Sequence, residues 1–235
     1  MQQLCLAWIS ALFAIAPLLL SGCAGSPAVD PEVPSPSSPV VSPPTPSVSA
    51  SPLEAETSPA TLSEAELSEA EIWSQLRQGR GYVILFRHAL APGTGDPSNF
   101  RLEDCSTQRN LSAEGRQQAM RLGEMLRQRN IPVSRVLSSQ WCRCLETARL
   151  MNLGAVEPFP VLNSFFQDRS IERSQTEQLR QFILSNRDTV GVTIMVTHQV
   201  NITAISNIIP QSGAAVVMRA SAPDQIDLVG QLASR

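Results

Sequence analysis

The chain of 235 residues holds only two histidines, His88 in "ILFRHAL" and His198 in "TIMVTHQV". Each stands where an apolar run gives way to polar sequence. An imidazole can attack as a nucleophile, move a proton or bind a metal, and its ordinary pKa near about 6.5 suits all three near neutrality. A histidine at a strand end is also commonly structural, with its ring satisfied by buried neighbours. A metal site reads poorly here. Neither histidine has a carboxylate or cysteine at ligand spacing, and Arg87, directly before His88, repels a cation. No metal and no cofactor are expected.

Elements that could position these residues are legible around them. "YVILF" is a short, fully apolar run of the kind buried on both faces of a parallel sheet, "GVTIMVT" is another buried strand, and "RVLSS" reads as a further one. "LSAEGRQQAMRLGEMLRQRN" reads as a helix capped by Ser112, with Ala119, Met120, Leu122, Met125 and Leu126 on its apolar face and Pro132 beyond its end. Further helices are expected from a cap at Thr61 or Ser63 to Gly79, from near Trp141, in "TEQLRQFILSN" and in "NITAISNII". "GAAVVMRA" and "IDLVGQL" are closing strands. Strands alternating with helices predict an α/β three-layer sandwich with a mostly parallel central sheet. Ligands of such sheets gather beyond the carboxyl ends of the strands. His88, His198 and the stretch from Ser139 to Arg143 all lie at such ends.

Four stretches, "FRHA", "LSAEGRQQA", "VLSSQWCRCLETA" and "VTHQ", follow one another in an order and spacing that resemble the histidine phosphatase superfamily over about residues 80–220. The family includes cofactor-dependent phosphoglycerate mutases, broad-specificity phosphatases and small phosphohistidine phosphatases. The resemblance implies a phosphoglycerate mutase-like fold and a phosphoryl-transfer site. His88 would be the nucleophile that forms a phosphohistidine, with its other ring nitrogen held by a backbone carbonyl. Arg87 and Arg143 would clamp phosphate oxygens with their planar forks, and His198 would donate to the phosphoryl group. Thr94 and Gly95 are candidates to touch a phosphate oxygen, and Gln199 and Asn201 to line the pocket. Thr147 is expected to pack or bond within its helix.

Two positions depart from the family pattern. Ala89 stands where most members have glycine. Ser164, in "VLNSFFQDR", stands where many carry a glutamate that protonates the leaving group. Asp168 is the first candidate to replace that acid, ahead of Glu172, Asp96, Glu103 and Asp104; alternatively, an easy leaving group needs no acid. The expected activity is hydrolysis of phosphomonoesters or phosphoramidates, on a small molecule or a phosphoprotein. A non-catalytic phosphate-recognition protein and a phosphomutase are the competing readings. Among the cysteines, Cys142 and Cys144 are too close to pair, so Cys105 could bridge to either, and three buried thiols are the alternative.

The first sixty residues read differently. Residues 6–20 are apolar apart from Ser10, too short for a comfortable membrane crossing but suited to a signal-peptide core. "LLLSGC" resembles a bacterial lipobox, so residues 1–22 are expected to be a lipoprotein signal and Cys23 the lipidated residue. No Lys or Arg precedes the core, a departure from that pattern. Residues 23–60, rich in Pro, Ser, Val and Thr, would be a disordered tether, and residues 61–235 the folded domain. This predicts a domain facing the periplasm or exterior on a lipid anchor, with Ala24 favouring the outer membrane. With 18 basic against 21 acidic residues, no nucleic-acid partner is expected.

Overall fold

A computed structural model describes residues 67–234. The chain divides into two units, Met1–Thr57 and Ser58–Arg235, and every described residue falls in the second. The expected signal (1–22), the lipidated Cys23, the tether (23–60) and the caps at Thr61 and Ser63 lie outside the described residues. Among those described, no helix is long and apolar enough to cross a membrane.

The first described helix, α1 (Glu69–Gln78), begins at a capping box. The Ser68 side chain accepts from the Glu71 amide, and the Glu71 carboxylate accepts from the Ser68 amide. "SEAE" occurs twice, at Ser63 and Ser68, and the second copy is the cap that sends Ile72, Trp73 and Leu76 inward. Six strands follow: β1 (Tyr82–Arg87), β2 (Val133–Ser138), β3 (Val156–Pro158), β4 (Val192–Thr197), β5 (Ala215–Ala220) and β6 (Ile226–Leu232). Between them run α2 (Ala113–Gln128), α3 (Cys142–Met151), α4 (Glu172–Ser185) and α5 (Gln199–Ser206).

The sheet order is β3-β2-β4-β1-β5-β6. The first four strands are mutually parallel, β5 runs antiparallel to β1, and β6 runs antiparallel to β5. Alternate residues of each central strand enter different cores. Ile84, Phe86, Ile194 and Val196 pack with Ile72, Leu76, Leu122 and Met151 on one face. Val83, Leu85 and Met195 pack with Leu179, Ile183 and Ile202 on the other. Helices on both faces make the three-layer sandwich, and they explain why β1 and β4 carry no polar alternation. Each fully buried Leu or Ile of these cores contributes about 1.5–3 kcal/mol of transfer free energy.

Three details differ from the sequence-based expectation. Met120 is solvent-facing; the buried face of α2 is Gly115, Ala119, Leu122, Gly123 and Leu126. Two glycines in that stripe bring the helix against neighbouring backbone, which a run of large residues would prevent. α4 starts at Glu172, before Thr176. The three-residue edge strand β3, which contains Pro158, has too little pattern to announce itself and is defined by pairing with β2.

Candidate active site

β2, β4 and β1 are neighbours, so their carboxyl ends deliver three segments to one place. Arg87 is in register with Thr197, and Ser138 with Val196. The next residues are therefore His88, His198 and Ser139, with Arg143 on the first turn of α3. The two imidazoles lie with ring centroids 5.5 Å apart and planes at 69°. Both rings are buried, and they line one cleft together with Arg87, Arg143 and Arg109.

The tautomer of His88 follows from its partner. Its Nδ1 is 2.8 Å from the carbonyl oxygen of Ala89, which can only accept. Nδ1 therefore carries the proton, and Nε2 keeps its lone pair. The backbone is fixed on both sides of this contact. The His88 amide donates to the Thr197 carbonyl at 2.9 Å, and the Ala89 amide donates to Thr147 Oγ1 at 3.1 Å. Thr147 in turn donates to the Arg143 carbonyl within its helix at 2.7 Å. It thus bonds within α3 as expected, and also ties α3 to the residue that orients His88. Ala89 is fully buried.

His198 Nε2 lies 2.9 Å from Ser139 Oγ and 3.5 Å from the Cys144 thiol. The serine hydroxyl can donate to Nε2 or accept from it, so it can serve either tautomer. When it donates, Nδ1–H is left as the ring's donor. The Trp141 and His198 rings meet in a T-shaped arrangement with centroids 5.4 Å apart.

Arg87 donates from Nη1 to the Pro210 carbonyl at 2.9 Å, and its Nε is buried without a partner among the described residues. Arg143 is 3% exposed and holds Asp96 through both terminal nitrogens, at 2.7 and 3.1 Å. Its Nε is likewise buried and unpaired. Arg109 fastens the loop over the cleft, donating from Nε to the Gly95 carbonyl at 2.8 Å and from Nη1 to the Ala91 carbonyl. Nothing in the spacing of "STQRN" separated Arg109 from a surface arginine, and Trp141 read only as a helix start.

Of the remaining predicted residues, Thr94, Gly95, Gln199 and Ser164 line the cleft. Ser164 Oγ accepts from the Phe166 amide at 3.2 Å. Asn201 is outside that lining and donates from Nδ2 to the Asn163 carbonyl. Asp168 is not brought to the cleft. It is exposed and accepts from the amide and hydroxyl of Ser170, capping the 3-10 turn Arg169–Ile171. Those bonds also lower its pKa, which opposes a proton-donor role. Glu172 pairs with Arg169, and Asp104 with Arg101 and Ser106. Asp96 is the one candidate acid that lines the cleft.

Cys105 bonds to Cys142 across 37 positions, and Cys144 remains a buried thiol. The bridge joins the loop of residues 92–110 to the start of α3. Gln108 Oε1, which accepts from the Cys142 amide at 2.9 Å, joins them again. No cluster of three potential metal ligands occurs among the described residues.

Burial and the neighbouring arginines shift His88, His198, Asp96 and Cys144. The His88 pKa falls to about 3, mainly through burial and then through Arg143; the bond to Ala89 opposes the fall only partly. His198 falls well below its ordinary value for the same two leading reasons. Burial pushes the Cys144 thiol up to about 12. At Asp96 burial acts upward, but the bonds and charge of Arg143 outweigh it and hold the carboxyl low. Both rings are therefore neutral in the folded protein, and the unfolded chain binds two more protons below about pH 6.5. Stability should fall as pH drops through that value, by about 1.4 kcal/mol per pH unit for each ring. For His88 this continues to about pH 3. Asp96 adds a loss only below its ordinary 3.8. Urea midpoints measured from pH 7 to 4 check this, and His88→Ala should remove half of the slope.

Residues 83–164 match the model of the histidine phosphatase superfamily (branch 1). The fold resembles phosphoserine phosphatase from Entamoeba histolytica, solved with 3-phosphoglyceric acid, at 13% identity and a TM-score of 0.50 over 66% of this chain and 98% of that one. The protein histidine phosphatase SixA, solved with tungstate, matches at 15% identity and a TM-score of 0.48 over 65% and 97%. No curated protein matches the sequence. The family model over residues 83–164 and the sandwich fold together support the histidine phosphatase superfamily for this domain.

Proposed function

We propose that the protein hydrolyses phosphate monoesters or phosphoramidates through a phosphohistidine at His88. The observation that carries this reading is the state of His88. Its Nδ1–H is committed to the Ala89 carbonyl, and its lone pair on Nε2 is kept free of protons by burial beside three arginines. In the first step Nε2 forms a bond to phosphorus and the bond from phosphorus to the leaving group breaks. In the second, water attacks phosphorus, inorganic phosphate departs and the imidazole is regenerated. The buried, unpaired Nε–H groups of Arg87 and Arg143 supply donors for the phosphoryl oxygens, and His198 supplies a further one when Ser139 donates to it. Such preorganised charge is the main contribution a protein makes to phosphoryl transfer.

The leaving group must take up a proton or leave as an anion. With Ser164 at the family's acid position and Asp96 paired to Arg143, the cleft favours groups that need little help, such as the amine of a phosphoramidate or an aryl oxide. The apolar run before "LLLSGC" supports export, with Cys23 carrying a lipid on the envelope.

The test is a radiolabelled phosphoramidate or p-nitrophenyl phosphate, mixed with the protein and quenched. Phosphohistidine is stable to alkali and labile to acid, so alkali-stable label on the wild type and none on His88→Ala is expected. Phosphate binding with no label and no turnover would instead support the phosphate-recognition reading, which Ser164 favours.

A further inference from the structure

Asp96 stands inside the cationic cleft with its carboxylate fully engaged. Oδ1 accepts from Arg143 Nη1 at 2.7 Å and from the Arg109 amide at 3.1 Å. Oδ2 accepts from Arg143 Nη2 at 3.1 Å and from Trp141 Nε1 at 3.1 Å. The Arg143 and Asp96 side chains are 3% and 6% exposed. Asp96 therefore meets the guanidinium end-on, through both terminal nitrogens. A guanidinium has a second edge, made by Nε–H and an N–H of the adjacent terminal nitrogen. On Arg143 the Nε of that edge is buried and unpaired among the described residues. A buried cationic N–H without an acceptor is unfavourable, and an anion in the cleft is the acceptor the geometry lacks.

We propose that Asp96 is a positioning residue, which holds Arg143 by one edge so that the other faces the substrate's phosphoryl group. The proposal rests on the phosphate-handling reading of the cleft. Arginine has long, rotatable side-chain bonds, and fixing them before the substrate arrives removes an entropic cost from binding and from the transition state. The carboxylate is anchored from two directions, by Trp141 at the start of α3 and by the Arg109 backbone at the end of the loop. Two other roles fit less well. A proton donor needs a proton on the carboxyl, yet both oxygens already receive two N–H groups each. A carboxylate that competes with phosphate should take the edge that phosphate uses, yet the Nε edge is open.

The experiment compares the wild-type protein with Asp96→Asn and Asp96→Glu. It measures kcat and KM on p-nitrophenyl, phenyl and alkyl phosphates, together with competitive inhibition by inorganic phosphate. Positioning predicts that Asp96→Asn lowers kcat/KM by roughly 10–100-fold, by a similar factor for all three esters. Phosphate affinity should weaken with it, and Asp96→Glu, which keeps the charge pair, should recover part of both. A loss that grows with the pKa of the leaving group would overturn the proposal in favour of a proton donor. Tighter phosphate binding would overturn it in favour of a competitor, and no change would overturn it outright. If Asp96→Asn fails to fold, Asp96→Glu still decides, since its longer side chain must move the guanidinium and an unchanged protein would sink the idea. Wild-type protein that binds phosphate but turns over nothing would fail the phosphatase reading, while the affinity comparison would still test positioning.

Discussion

Replacing His88 with alanine is expected to abolish phosphate release, a fall on the order of 10⁴–10⁶-fold, as loss of a covalent nucleophile does elsewhere. No other group in the cleft can take over. Cys144 is buried and its thiol is held up at about 12, so it carries no thiolate at working pH. Ser139 is occupied between His198 and the Trp141 amide. His198 has its Nε2 turned to Ser139 and Cys144. The variant should keep its affinity for inorganic phosphate within roughly tenfold, because the arginines remain and carry most of the charge. The wild type makes a second, linked expectation. Since the His88 ring stays neutral down to about pH 3, kcat/KM for p-nitrophenyl phosphate should show no acid limb near pH 6.5 from this residue. Stopped-rate assays of both proteins between pH 4 and 8 check the two together. Residual turnover of a few per cent in His88→Ala would move the nucleophile elsewhere.

The parts of this site that were legible in the sequence are those fixed by strands. β1 and β4 bury both faces, so their largely apolar runs mark them, and the polar residues after each run must lie at the sheet's carboxyl edge. That puts His88, His198 and the stretch from Ser139 to Arg143 each at a carboxyl strand end, and it is the family resemblance that groups them in one pocket. The order β2-β4-β1 adds what a pattern cannot give, namely that the three ends are adjacent. Residues 92–110 were opaque for a physical reason. Their path is set by side chains bonding to backbone, as Arg109 does to Ala91 and Gly95 and Thr107 to Arg101 and Asp104. Such bonds have no period in the sequence. Asp96 was consequently one acid among several, and nearness to Ser164 in the chain favoured Asp168. In the fold, Asp168 is consumed by the turn it caps, while Asp96, 68 positions before Ser164, faces the cleft. The closeness of Cys142 to Cys144 left Cys105 paired with one of the two, or three thiols. Only the direction of α3, which points Cys144 into the core, selects Cys142.

Gly115→Ala should damage the enzyme at a distance, by moving His88 without touching it. In an exposed helix, alanine for glycine normally gains about 0.8–1 kcal/mol. Here a Cβ at position 115 would sit 2.0 Å from the Leu90 carbonyl oxygen and 2.9 Å from its carbon. Both are backbone atoms, so a flexible side chain cannot relieve the clash, and the segment or the helix must move by about 1 Å. The net effect should be destabilising, by roughly 1–3 kcal/mol as in other overpacked sites. The consequence for catalysis follows from what that segment holds. Leu90 accepts from the Ser112 amide at the α2 cap, and its own amide donates to Gln118. Ala89, one residue back, supplies the carbonyl that fixes the His88 tautomer. A displacement of that size at a reacting group can cost on the order of 10²-fold in rate. Gly123→Ala is the control, because its Cβ would meet the Met151 carbonyl oxygen at 1.8 Å, at the end of α3 away from the cleft. It should lose at least as much stability while kcat per folded molecule changes by less than about threefold. Thermal melts and kcat measured on both variants separate the two effects. If both glycine variants lost kcat equally, the contact between α2 and Leu90 would be supporting the fold in general and not the setting of the nucleophile.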